Sequence, residues 1–174
     1  TISKIMLLSK TPFRISFAGG GSDYFYNKSN LKGRVITSTI NKYIYVSLNK
    51  RYNKDLRVSY SKTEIVNSAH KLKHQIIKET LKYYKILNGL EVVTLADIPS
   101  SGSGLASSSA LTVGLVKLFN ELKKNKLTPK EIAREACEIE IEKCKKLIGM
   151  QDQYATAYGG LNRFEFYKNN VIRK

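Results

Sequence analysis

The chain has 174 residues, 42% of them hydrophobic and 25% charged, and carries 30 Lys+Arg against 14 Asp+Glu for a net charge of +16 at pH 7. That is enough chain for one domain with a single core, in the composition range of soluble globular proteins. No apolar run is long enough to span a bilayer, and the IMLL stretch near the start is too short for a signal-peptide core, so a cytoplasmic protein with no membrane partner is expected. The positive charge favours anionic partners such as phosphates, nucleotides or nucleic acid. Its lysines are scattered along the whole chain, which a lysine-rich composition explains equally well. The lack of a dense basic cluster interleaved with aromatics argues against nucleic acid.

In chain order, KTPFRISFAGGG alternates like a strand and ends in three glycines. RVITSTI and KYIYVSLNKRY have the β-branched, aromatic, period-two pattern of strands, with Asn41 and Lys42 expected as a hairpin turn between them, and LRVSYS continues the style. From about Ala69 the period changes. HKLKHQIIKETLKYYKIL places Leu72, Ile76, Ile77, Thr80, Leu81 and Tyr84 at helical spacing, stopped by Asn88 and Gly89. LEVVTLAD reads as a strand and SSALTVGLVKLFNELKK as an apolar helix. Thr128, Pro129 and Glu131 form the N-cap, first turn and capping box of a helix running to about Lys145. GMQDQYATAYGG is a glycine-bounded helix, and LNRFEFYKNNVIRK ends the chain as one or two strands. This pattern predicts an α+β fold.

Cys137 and Cys144 fall about 10 Å apart on a helix, too far for a disulfide, and read as small buried residues. His70 and His74, four apart, have no acidic or cysteine partner nearby in sequence, and read as solvated or capping side chains.

The segment PSSGSGLASSSA, residues 99–110, holds two glycines, six serines and no charge. It lies between a strand and an apolar helix. Residues without bulk let an anion approach main-chain N–H groups, and the helix behind adds its unpaired amides and the positive end of its dipole. Serine hydroxyls donate to phosphate or bind magnesium. The competing reading is an ordinary loop in which Ser107 caps the helix. It is not a Walker A loop, because no lysine follows the glycines.

Along the helix from Pro129, Ile132, Ala133, Ala136, Cys137, Cys144, Leu147 and Ile148 share one arc. Glu131, Glu135, Glu138 and Glu142 lie opposite, and Glu140 falls inside the apolar arc. A carboxylate there is costly unless it is paired or bound to a metal, and both a buried salt bridge and a magnesium ligand satisfy this. Asp152, near a helix start, suits either a helix-dipole role or the carboxylate that orients or deprotonates an acceptor hydroxyl in phosphoryl transfer.

KTPFRISFAGGGSDY, PSSGSGLASSSA and GMQDQYATAYGGLNRFEF, in this order, resemble the three motifs of the GHMP kinase superfamily, over about Lys10 to Phe166. The first and third are most similar to the sugar-kinase branch acting on the anomeric hydroxyl of D-glycero-D-manno-heptose 7-phosphate. The resemblance implies a two-layer domain, a mostly antiparallel sheet against helices, with residues 1–174 as one ATP-binding half of a kinase whose second half is absent from the chain. It implies ATP and Mg2+ as cofactors and a sugar phosphate as acceptor. Gly102, Ser103, Gly104, Leu105, Ala106, Ser107, Ser108 and Ser109 would wrap the ATP phosphates, and Ser108 and Glu140 would hold magnesium. Asp152 would be the base, with Arg14 beside it. Gly19, Gly20, Gly21, Ser22, Asp23 and Tyr24 would line the sugar site, Asp23 accepting hydroxyl hydrogens.

Ala106 and Lys145 stand where the family commonly carries glycine. Because alanine favours φ < 0, the loop is expected to differ locally at Ala106. The alternatives are another acceptor such as galactose, fucose or mevalonate, and a non-catalytic basic RNA-binding domain of similar fold.

Overall fold

The computed structural model describes residues 6–24, 32–99, 103–167 and 170–174. Its spine is a pair of long strands, β1 (Leu7–Ala18) and the 18-residue β2 (Gly33–Lys50). β1 pairs antiparallel with β2 along one edge, from Leu7 opposite Leu48 to Ala18 opposite Ile36. The other edge of β2 is shared. β5 (Leu90–Ala96) takes Ile44 to Lys50, and β6 (Leu161–Tyr167) takes Gly33 to Ser38. β3 (Leu56–Ser59) and β4 (Thr63–Val66) extend the sheet beyond β5, and β7 (Asn170–Arg173) extends it beyond β6. The order is β4-β3-β5-β2-β6-β7 with β1 on β2, and β3–β5 is the one parallel pairing among the described residues.

Among the described residues, four longer helices cover the sheet: α1 (Gln75–Tyr83), α2 (Ser107–Leu122), α3 (Pro129–Cys137) and α4 (Gln151–Tyr158). α2 and α4 pack on β1 and β2, α3 packs against α2 and α4, and α1 packs against α2. α2 is buried on nearly every side, from Ser109 to Asn120, as a helix apolar all round must be. Phe13, Val46, Leu115, Phe119, Phe164 and Phe166 fill the layer between sheet and helices. Leu8, Phe17, Leu95 and Leu161 stay exposed on the opposite sheet face, where strand alternation puts them. The two-layer α+β expectation holds. Among the described residues no helix is long and apolar enough to cross a membrane.

Four local expectations change. Asn41 and Lys42 do not turn; β2 runs straight through them, and neither has the positive φ that a tight hairpin needs. The polar pair sits where the outer partner of β2 changes from β5 to β6. The helix expected from Ala69 is split into a 3-10 turn (Ala69–Lys71) and α1, because the Glu64 carboxylate accepts from the amides of Lys73 and His74. It ends at Tyr83, where Lys85 takes φ +58°, ahead of Asn88 and Gly89. The helix from Pro129 passes at Glu138 into a π-helical turn (Glu138–Lys143), and Lys145 at φ +54° ends it, leaving Leu147 exposed instead of on the apolar arc. Cys137 and Cys144 are free and buried, and His74 caps α1 through Nδ1, as expected.

Candidate active site

The glycine-serine segment meets the sheet where β1 is irregular. A register shift between Pro12 and Arg14 turns both Phe13 and Arg14 inward, and both are buried. The Arg14 amide donates to the Leu105 carbonyl at 3.2 Å, and its Nη1 donates to the Gly104 carbonyl at 2.7 Å. The loop is thus fastened to the sheet through its carbonyls, while the Leu105 amide donates to Ser103 Oγ at 3.4 Å. Gly104 has φ +66°, and a Cβ there would meet nothing within 4 Å. Glycine is favoured by the backbone, and the space beside it is open.

Ala106 follows at φ 63° and ψ 33°, in the left-handed region. The expected departure from the glycine conformation does not occur: Ala106 adopts it, at a cost of about 1 kcal/mol that the packing of α2 overrides. Ala106 also occupies the N-cap of α2, with no side-chain cap hydrogen bond, so Ser107 is the first helical residue and not the cap. Helix N-terminal amides without a side-chain cap form a site for an anion. Ser103, Gly104, Leu105, Ser107 and Ser108 are all partly or fully exposed around this opening, while Ala106 and Ser109 are buried. Gly102 lies outside the described residues.

Asp152 stands in the first turn of α4. Its Oδ1 accepts from Arg14 Nε at 2.8 Å and from Nη2 at 2.6 Å. One guanidinium therefore ties Asp152 to the loop at Gly104. Burial raises the Asp152 pKa above the ordinary aspartate value. Arg14 offsets part of this, and the negative charges of Asp23 and Glu140 add to the rise.

Glu140 is fully buried. The π turn carries it, and such turns occur often at functional sites. Ser109 Oγ donates to Glu140 Oε2 at 2.7 Å, and Gln153 Nε2 donates to the same oxygen at 2.6 Å. Lys146 Nζ pairs with Oε1 at 2.8 Å. The carboxylate is thus joined to the start of α2 through Ser109 and to the start of α4 through Gln153, the neighbour of Asp152. Ser109, not Ser108, faces it directly. The salt-bridge reading of the sequence holds, and the carboxylate sits beside the start of α2. Gln153 Oε1 is buried with no hydrogen-bond partner, an oxygen left over beside Glu140. Among the described residues no three His, Cys, Asp or Glu side chains gather into a metal cage.

The triple-glycine turn adjoins α4. Asp23 is buried, its Oδ1 accepting from the Gly21 amide at 3.1 Å and its Oδ2 from the Gln151 amide at 2.9 Å. Both oxygens are engaged by backbone, so Asp23 straps the turn to the start of α4. Ser22 Oγ is likewise engaged, accepting from the Arg34 amide at 3.0 Å and reaching the Gly19 carbonyl at 2.7 Å. Gly19 and Gly20 are exposed, with Gly21 and Tyr24 partly so. Ser16 Oγ donates to Gln151 Oε1 at 3.0 Å beside Gly20. Gly149 permits this junction, because a Cβ there would lie 1.9 Å from Asp23 Oδ2.

Sequence reasoning missed Lys146, Gln151 and Gln153. The glutamines flank Asp152, which was the available signal. Lys146 gave none, because the left-handed turn at Lys145 breaks the helical period that would have located it.

Residues 64–160 match the family described as GHMP kinases N terminal domain. The chain is 36% identical to D-glycero-alpha-D-manno-heptose 7-phosphate kinase of Campylobacter jejuni, over 94% of this chain and 52% of that protein. Its structure is similar to that of a D-glycero-D-manno-heptose 1-phosphate kinase from Bacteriodes thetaiotaomicron, with TM-score 0.86 and 30% identity over 98% of this chain and 59% of the other. Lactococcus lactis galactokinase shares the fold, with TM-score 0.76 and 20% identity over 97% of this chain and 46% of that one. The chain spans about half the length of these relatives.

Proposed function

The chain belongs to the GHMP kinases, and we propose that it supplies the ATP-binding half of a kinase that phosphorylates the anomeric hydroxyl of a sugar phosphate, D-glycero-D-manno-heptose 7-phosphate. The acceptor is carried over from the name of the Campylobacter relative. The observation that carries the reading is the Arg14 bridge, which fixes Asp152 to the Gly104 carbonyl at the edge of the uncapped helix end.

The amides at residues 103–109 and the dipole of α2 hold the nucleotide phosphates. Asp152 accepts the proton of the sugar hydroxyl as that oxygen bonds to the γ-phosphorus. The bond from phosphorus to the bridging oxygen breaks, and ADP leaves. Arg14 offsets part of the rise that burial gives the Asp152 pKa, and its charge lies near the transferring group. Asp23 positions Asp152 through the Gln151 amide.

The donor set fits magnesium. Ser108, Glu140 and the unpartnered Gln153 Oε1 are oxygen donors, and magnesium is commonly held by one or two protein oxygens together with nucleotide phosphates. Ser108 and Glu140 would hold the ion, which when bound neutralises charge on the phosphates. RNA binding is not favoured, because the relatives that match this chain are sugar-phosphate kinases.

The test offers the full-length protein a panel of sugars and sugar phosphates and follows ADP release. Heptose 7-phosphate should give the highest kcat/KM. Turnover of galactose, fucose or mevalonate above the heptose would move the acceptor assignment, and no ADP release with any acceptor would contradict the kinase reading.

A further inference from the structure

We infer that Lys146 is a resident counter-ion of Glu140 that holds the carboxylate in the metal-free protein and gives it up when the magnesium–nucleotide complex enters. The inference rests on the magnesium–nucleotide reading of this site. Glu140 Oε2 is fixed by Ser109 and Gln153, whereas among the described residues Oε1 has Lys146 alone. The Glu140 side chain is 0% exposed and that of Lys146 is 26% exposed, so the lysine is the partner free to swing into water. A lysine suits the task, being a point charge on a flexible stem, where an arginine fork would bind the carboxylate bidentately.

The backbone delivers the lysine. The π turn ends with the Cys144 amide on the Ile139 carbonyl at 2.9 Å and the Lys146 amide on the Glu140 carbonyl at 3.1 Å. Lys145 takes the left-handed conformation between them. That closure folds residue 146 back over residue 140. A buried carboxylate without a counter-charge is strongly unfavourable, so the ammonium stabilises the protein before any cation arrives and competes with that cation afterwards.

The experiment titrates magnesium against binding of a fluorescent ADP analogue to the full-length wild type, Lys146→Met and Lys146→Arg, and records Tm without metal or nucleotide. The methionine variant should lose about 5 °C or more in metal-free Tm. It should also bind nucleotide with a magnesium midpoint about tenfold lower, because nothing competes for Oε1. Lys146→Arg should keep a midpoint at or above that of wild type. If Lys146→Met does not fold, Lys146→Gln, which donates without charge, carries the same expectation. A midpoint unchanged or raised in the uncharged variants, with a magnesium-dependent wild type, overturns the counter-ion role alone. A wild type whose nucleotide binding ignores magnesium overturns the magnesium reading of the site and this inference with it.

Discussion

At Thr128 the chain closes a helix end with its own side chains; at Ala106 it leaves one open. Thr128 Oγ1 accepts from the Glu131 amide, the Glu131 carboxylate accepts from the Thr128 amide, and Pro129 has no amide to satisfy. The start of α2 has an alanine at the cap, forced into the left-handed region, with open space beside Gly104 and no side-chain cap. The two helices pack against each other, with the start of α3 exposed at Thr128 and that of α2 buried at Ala106. The closed end serves the fold, and on the proposed reading the other end offers its amides to nucleotide phosphate.

The largest expected effect concerns the acid bound to the open end. Asp152→Asn in the full-length protein should lower kcat by about a thousandfold while nucleotide affinity stays within about twofold, since a general base acts on the acceptor and not on the nucleotide. ADP-release kinetics and nucleotide titration check the two halves of that statement.

The pH profile sharpens it. The folded-state pKa of Asp152 is raised by burial, so the carboxylate is lost at a higher pH than an ordinary aspartate would lose it. The acid limb of kcat/KM should therefore fall above the ordinary aspartate range of about 3.9. The sign for stability is opposite. A raised pKa means the folded state binds the proton more tightly than the unfolded chain, so the contribution of this group is full below the ordinary aspartate range and is lost as pH rises through the raised value.

Gly149→Ala tests the strap that holds α4 to the triple-glycine turn. Its Cβ would lie 1.9 Å from Asp23 Oδ2, which must move or displace Gln151 and Asp152. The expected outcome is about 2 kcal/mol of lost stability by denaturant unfolding, together with a lower kcat.

The helix ends themselves give the smallest and most contrasting pair. Thr128→Ala should cost about 1 kcal/mol and leave nucleotide binding alone. Ala106→Gly should gain up to about 1 kcal/mol, because glycine takes the observed φ without strain. Equal losses from both variants would erase the contrast between the closed and the open end.

Much of this site was legible as chemistry and little of it as geometry. A charge-free run of glycine and serine before an apolar helix marked the loop, and a glutamate out of phase with its helix marked Glu140. Both signals survive because they depend on short-range spacing. The continuous β2 was not legible, because Asn41 and Lys42 are turn-like residues whose straight path is imposed by β1 across the sheet. The engagement of Asp23 by two backbone amides was hidden for the same reason, since its partner Gln151 is 128 residues away. Lys146 was hidden by a left-handed residue and a π turn, which shift every later side chain off the helical period. Ala106 and Lys145 did carry a trace. Both replace a common family glycine, and both keep the glycine backbone.

The central claim, that amides at the start of α2 grip nucleotide phosphate, is tested most directly by amide hydrogen exchange on the full-length protein with and without magnesium–ADP. The account predicts that exchange across residues 103–109 slows by about tenfold or more on nucleotide addition, while that of Glu131 and Ile132 in the self-capped helix does not change. Unaltered exchange across the loop at saturating nucleotide, or the same slowing at both helix starts, would contradict it.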